Sequence, residues 1–334
     1  MNDKIEKKQL SILKILSESK SPVNSKIITE ILNNEGSDVS ERTVRFHLLQ
    51  LDGKELTKNI GRLGRVITDK GLEEIEQARV YEKIGFLTAK IDRMTYKMNF
   101  NLETKKGTVV INVSLIEKSK IEESIPLIKK VFDAGYAMGK LVTIIKAGER
   151  VGSTIIPEGY IGIGTVCSIT INGVFLKYGI PTNSRFGGLL EIKEGKPTRF
   201  VAIINYNGTT LDPLEIFIKS GMTRYKEATL SGNGLIGASF REVPAESKAE
   251  VLEIAKKLEK IGLGSIMKVG WQGQPLLEIP VNEGHIGVII IGGLNPVAIL
   301  EESGIKVASK ALSGIIDYER LFNYQLLDKK IADS

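Results

Sequence analysis

The 334-residue sequence has one cysteine, Cys167, one tryptophan and only two histidines, His47 and His285. A lone thiol excludes a disulfide framework and points to a reducing compartment. The two histidines lie far apart in the chain, so neither a histidine metal cluster nor a Cys–His pair can be assembled near Cys167. No glycine-rich nucleotide fingerprint follows a strand pattern. These absences argue against an enzyme and against any metal or cofactor. The longest apolar run, 286–300, is too short for a bilayer span and is broken by Gly292, Gly293 and Pro296. No charged-then-apolar leader opens the chain, so a cytoplasmic protein without a membrane partner is expected.

What is present is an ordinary globular composition with a net charge of +6. That excess is compatible with nucleic acid but does not establish it. Its location is more informative, because residues 42–70 alone carry seven Lys/Arg against three Asp/Glu.

Residues 1–80 read as a winged helix-turn-helix. Leu10, Leu13 and Leu16 mark a first helix ended by Pro22. Asn24 and Ser25 cap a second helix with Ile28 and Leu32 inward, closed by Gly36. Ser40 caps a third, in which Val44, Leu48 and Leu51 form the buried stripe. Two short strands around Ile60 and 66–67, joined by the turn 61–64, form a wing, and Asp69 caps a closing helix. The side of the third helix opposite its buried stripe presents Arg42, Arg45 and Phe46. Ser40 and Thr43 stand at its N-terminus, where hydroxyls and open N–H groups can meet a phosphate. Arginines there can read guanine edges and Phe46 a thymine methyl. Arg62 and Arg65 on the wing suit the neighbouring minor groove. His47 falls off this arc and is expected at the surface.

Residues 81–334 repeat themselves at an offset of 125, with halves at about 108–229 and 230–320. EGYIGIG at 158–164 answers EGHIGVI at 283–289, Gly139 answers Gly264, and Ser114 answers Ser239, with no gap required. Each half reads as strand–helix–strand–strand–helix, an internally duplicated ferredoxin-like unit that makes the fold class α+β. Residues 181–229 read as an extension of the first half that the second largely lacks.

Both halves place a polar loop before a short helix, holding Thr165, Cys167, Ser168, Thr170 and Asn172 in the first and Gly292, Gly293 and Asn295 in the second. Asn295 reads as the helix cap. Open N–H groups at such a helix start suit a carboxylate or phosphate. Arg185 and Thr223 in the extension, and Arg241 in the second half, add hydrogen-bonding groups, and an arginine there can hold a carboxylate bidentately. Asp212 before Pro213 reads as a helix cap.

The strings TVCSITINGVFLKYGIP, FGGLLEI, LDPLEIF, SGMT, GQPLLEIPVNEG and HIGVIIIGGLNPVAILEESGI resemble the NrpR family of archaeal nitrogen regulators, over essentially the whole chain. The resemblance implies a repressor of nitrogen-fixation and ammonium-assimilation genes. Such a repressor would bind inverted-repeat operators as a homodimer or higher oligomer and take 2-oxoglutarate as its inducing effector. Many members carry two copies of the regulatory domain and this chain carries one. That leaves room for a second, separately encoded regulatory subunit or a PII-type partner. The residues alone also leave open a winged-helix regulator whose duplicated domain serves only oligomerisation or partner binding.

Overall fold

The computed structural model describes residues 2–19, 21–34, 37–82, 86–152 and 154–332. The chain divides into two compact units, 1–84 and 85–334.

The first unit runs α1 (Asn2–Glu18), α2 (Ser25–Asn34), α3 (Glu41–Gly53), β1 (Thr57–Asn59), β2 (Arg65–Ile67) and α4 (Asp69–Glu82). Its core is the inward stripe of each helix: Ile12, Leu13 and Leu16 from α1, Ile28 and Leu32 from α2, Val44, Leu48 and Leu51 from α3. Asn24 caps α2 by accepting from Ile27 N–H at 3.0 Å. The cap of α4 is Thr68, whose hydroxyl accepts from Gly71 N–H, rather than Asp69. Gly36, expected to close α2, lies outside the described residues. β1 and β2 form the antiparallel two-stranded wing, and Val23 and Arg65 exchange backbone hydrogen bonds of 2.9 Å in a single bridge that ties the loop before α2 to it. Gly64 makes that approach possible, because its φ is +113° and a Cβ there would stand 2.3 Å from the Val23 carbonyl.

The second unit begins with α5 (Phe86–Lys97) and continues β3 (Thr108–Glu117), α6 (Ile121–Asp133), β4 (Leu141–Ile145), the small hairpin β5 (Arg150–Val151) and β6 (Thr154–Ile155), β7 (Tyr160–Val166) and α7 (Ile169–Lys177). β8 (Asn183–Lys193), β9 (Lys196–Asn205), α8 (Pro213–Lys219) and α9 (Tyr225–Ser231) follow. The second half supplies β10 (Gly234–Pro244), α10 (Lys248–Lys260), β11 (Ile266–Val269), β12 (His285–Ile291), α11 (Asn295–Glu302) and β13 (Ala308–Asp317), then β14 (Phe322–Asn323) and α12 (Leu327–Ala332).

Two antiparallel five-stranded sheets result, in the orders β13-β3-β7-β4-β14 and β9-β8-β10-β12-β11. The first sheet takes its strand β13 from the second half of the chain, and the second takes β8 from the first half. Each half is therefore a six-element β-α-β-β-α-β unit, and the halves exchange their last strands reciprocally. This corrects the reading of 181–229 as a one-sided extension, since β8 answers β13 and the unmatched insertion is β9 to α9. The hairpin that β8 makes with β9 has no counterpart and hides the match in the sequence.

The pairing register corrects the gapless alignment as well. Ile163 of β7 and Val288 of β12 keep the 125 offset, yet they face Ser114 and Arg241 respectively. Ser239 thus corresponds to Asn112, not Ser114. The connection 134–140 after α6 is two residues longer than 261–265 after α10, which absorbs the difference.

Candidate functional site

In the first unit, Ser40 caps α3 by accepting from Thr43 N–H at 3.2 Å, and the two hydroxyls lie 2.9 Å apart. Arg42, Arg45 and Phe46 are exposed along the next turn, with Phe46 at 55% and its neighbour Leu49 at 64%. Large apolar side chains left in water beside arginines suit the edges of bases. Arg45 is held in place: Nη2 donates to Glu41 Oε1 at 2.7 Å and Nε to Ser25 Oγ at 3.2 Å. The Ser25 hydroxyl and Arg45 together hold the Glu41 carboxyl below its ordinary value.

The wing arginines separate. Arg62 is exposed beside Leu63 at the tip, which is itself 67% exposed. Arg65 donates through Nε to Asp52 Oδ2 at 2.8 Å and keeps only 13% of its side-chain surface, while Thr57 Oγ1 donates to Asp52 Oδ1 at 2.6 Å. Asp52 thereby pins the wing to the end of α3, and Arg65 serves that docking. His47 is buried and not at the surface as expected, because it faces the α1 side of α3 together with Val44, Leu48 and Leu51. Burial pulls its imidazole below the ordinary histidine value.

In the second unit the expected ligand residues fall into two groups. Most are committed to the fold. Thr170 exchanges hydrogen bonds with the Val110 backbone at 3.2 Å. Asn172 donates to Ser184 Oγ. Arg185 donates to the buried Glu242 carboxylate and to Pro280 O. Thr223 donates to Glu302. Asn295 does not cap α11, because its amide is drawn to the carbonyls of Tyr136 and Gly237, both at 2.9 Å. Gly292 and Gly293 are packing glycines. A side chain at 292 would strike Leu214 and Asn295, and one at 293 the Val166 carbonyl at 2.4 Å.

The second group surrounds a cavity of about 20 Å³, room for one water. Cys167, Ser168 and Gly293 line it with Asp212, read from the sequence only as a cap, and with residues the sequence did not single out: Ile91, Asn112, Tyr206, Ala311 and Leu312. These come from α5, β3, the turn after β9, the cap of α8 and the exchanged strand β13. Asp212 does cap α8, accepting from Leu214 N–H at 2.9 Å. It is partly exposed, and loss of solvent with Glu215 alongside pushes its carboxyl up to about 6. Burial pushes the Cys167 thiol up to about 11, so it is no thiolate nucleophile. Thr165 faces the same side of the sheet as its cross-strand partner Asn112, and its hydroxyl has no partner.

Behind the lining residue Ser168 stands Arg241, with none of its surface exposed. Nη1 donates to Ser239 Oγ at 2.7 Å and Nη2 to Ser168 Oγ at 3.1 Å, while the Nε–H has no acceptor. Among the described residues no carboxylate bonds it. Burial disfavours its charge, but a guanidinium keeps its proton in any protein environment. A buried cation held by two neutral hydroxyls, with one donor unmet, is complementary to an anion. The cavity is closed in this conformation and must widen to admit anything larger than water.

Comparison with known proteins accords with both units. Residues 84–323 match the model for NrpR regulatory domains NRD1 and 2, and residues 10–75 that for a ribonuclease R winged-helix domain. The global nitrogen regulator NrpRI of Methanosarcina mazei is 37% identical over 96% of this chain and 99% of its own length. The global nitrogen regulator NrpR of Methanococcus maripaludis is 34% identical over 92% of this chain, which spans 54% of that longer protein. The crystal structure of a nitrogen repressor-like protein from Methanococcus jannaschii superposes with a TM-score of 0.60 at 28% identity, covering 71% of this chain and 98% of that one. The chain belongs to the NrpR family of nitrogen regulators.

Proposed function

We propose that this chain is a DNA-binding transcriptional repressor of nitrogen-fixation and ammonium-assimilation genes, released from its operator by 2-oxoglutarate. The observation that carries the effector half is Arg241, a buried guanidinium bonded to the cavity residue Ser168, with no carboxylate of the protein bonded to the guanidinium among the described residues. A ligand carboxylate supplies the missing partner. Ser168, Cys167, Asn112 and Tyr206 are the groups around it. Arg185, Thr223 and Asn295 stand outside this proposed set, since their bonds are taken by the fold.

The DNA half rests on the exposed row Arg42, Arg45, Phe46 and Leu49 of α3, with Arg62 at the wing tip. Ser40 and Thr43 would offer the helix start to a phosphate. Arg45→Ala is expected to weaken specific operator binding by roughly 1–3 kcal/mol and to relax base preference, read by gel shift on operator and scrambled duplexes. Equal weakening on both duplexes would make Arg45 a phosphate contact instead.

A homodimer or higher oligomer in the cytoplasm, reading an inverted repeat with two winged helices, completes the proposal. Half-sites one helical turn apart demand a fixed spacing of recognition helices, so a small rearrangement around the effector costs several contacts at once. A second regulatory subunit or a PII-type protein would act on the same equilibrium. Calorimetry of the full chain with 2-oxoglutarate tests the effector half. Saturable heat is expected. Its absence, with no thermal shift, would favour a duplicated unit that serves only assembly.

A further inference from the structure

A second cation bonds a residue of the cavity wall. Lys90 lies on α5 next to Ile91, which lines the cavity, and its Nζ donates to the carbonyl of Ala311, another lining residue, at 3.3 Å. Lys90 is half-buried and makes no ion pair among the described residues. By contrast, two other partly covered cations of the unit are ion-paired, Arg185 with Glu242 and Lys129 with Asp328. The acids nearest to Lys90 attract it without a hydrogen bond to it among the described residues. Glu215 accepts from Ala311 N–H and Asp212 from Leu214 N–H. Desolvation, and then Lys310 alongside, lower the hold of Lys90 on its proton, while Glu215, Cys167 and Asp212 act the other way. Arg241 on β10 thus bonds the lining residue Ser168 and Lys90 on α5 the lining residue Ala311, and neither has a carboxylate hydrogen-bonded to it among the described residues.

Two cations without a bonded carboxylate suit a ligand with two negative groups. We propose that Lys90 is the counter-ion for the second carboxylate of a dicarboxylate whose first carboxylate rests on Arg241, and that it sets the preference of this site for dicarboxylates over monocarboxylates. The inference rests on the effector reading above and adds its specificity determinant.

Its position also carries a consequence for regulation. α5 is the first element of the second unit and starts at residue 86, two residues after the first unit ends. α5 itself contributes Ile91 to the cavity wall, and its Thr88 donates to Asn207 Oδ1 next to the lining residue Tyr206. On the far side of the Lys90 bond, 311–313 form an irregular step in β13, where Leu312 holds a φ of +49° and donates to Asn112 Oδ1 at 3.1 Å. Left-handed backbone at a leucine is a strained conformation kept by its surroundings. A ligand that draws Lys90 from Ala311 loosens one of those surroundings and acts directly on the helix that leads to the DNA-binding unit.

The test uses the full chain and two acids: 2-oxoglutarate, and 2-oxopentanoate, in which a methyl group replaces the distal carboxylate. Calorimetry on wild type is expected to show a clear preference for 2-oxoglutarate. Lys90→Met should weaken 2-oxoglutarate roughly 10–100-fold, the worth of one charged hydrogen bond, to the level of 2-oxopentanoate, whose own affinity stays unchanged. Lys90→Arg should keep the preference. Loss of both acids by the same factor would make Lys90 a structural residue and overturn the proposal, as would undiminished 2-oxoglutarate binding in Lys90→Met. Wild-type protein that binds neither acid would overturn the effector reading itself.

Discussion

Arg241→Met is expected to melt no lower than wild type without ligand and to lose all thermal response to 2-oxoglutarate. A buried guanidinium held by two hydroxyls bears most of its desolvation cost, and an apolar side chain of similar length removes a charge that no carboxylate of the fold neutralises. Ser239 keeps its bond to Ile290 O at 3.3 Å after the change. Wild-type protein at one hundred times the dissociation constant should gain about 2.7 kcal/mol, and the variant nothing. The check is a pair of scanning-calorimetry traces with and without effector. A variant that loses several kcal/mol of stability and still responds would show Arg241 to be a structural group whose charge the ligand ignores.

Gly64→Ala is expected to remove operator binding while leaving effector binding intact. The positive φ of this residue alone costs a side chain about 1–3 kcal/mol. The clash is worse than the torsion, since the new Cβ would sit 2.3 Å from the Val23 carbonyl and 2.6 Å from Asn24 N. The wing must then leave Val23, and Arg62 and Leu63 lose their place beside α3. Gly61, at a φ of +63° with nothing within 4 Å, is the control. Asparagine there is tolerated in the left-handed region and should cost little. Gel shift for DNA and titration calorimetry for effector separate the two units. Equal losses in both assays would mean that the substitution unfolds the chain generally.

The winged helix was legible because its signals are local. Stripe, cap and turn each lie within a few residues, and Val44, Leu48 and Leu51 are buried where their spacing puts them. His47 shows the limit of the method, since a buried arc wider than three positions cannot be read from apolar residues alone. The duplication was also legible, through EGYIGIG and EGHIGVI. The exchange of β8 and β13 was not, because pairing between strands distant in the sequence leaves no mark on either segment. The candidate site suffered in the same way. Arg185 and Arg241 look alike in the sequence, and only the fold shows that Glu242 occupies one and no carboxylate meets the other. Asn112, Tyr206, Leu312 and Lys90 come from separate elements that meet only after the two halves have exchanged strands. Asp212 was readable as a cap, and its second position at the cavity was not.

The most direct measurement is a titration of the preformed operator complex with 2-oxoglutarate, followed by fluorescence anisotropy of labelled DNA, for wild type and Arg241→Met side by side. The account predicts saturable release of DNA from wild type and an unchanged complex with the variant at every effector concentration. A wild-type complex indifferent to 2-oxoglutarate, or a variant released at the same concentrations as wild type, would contradict it.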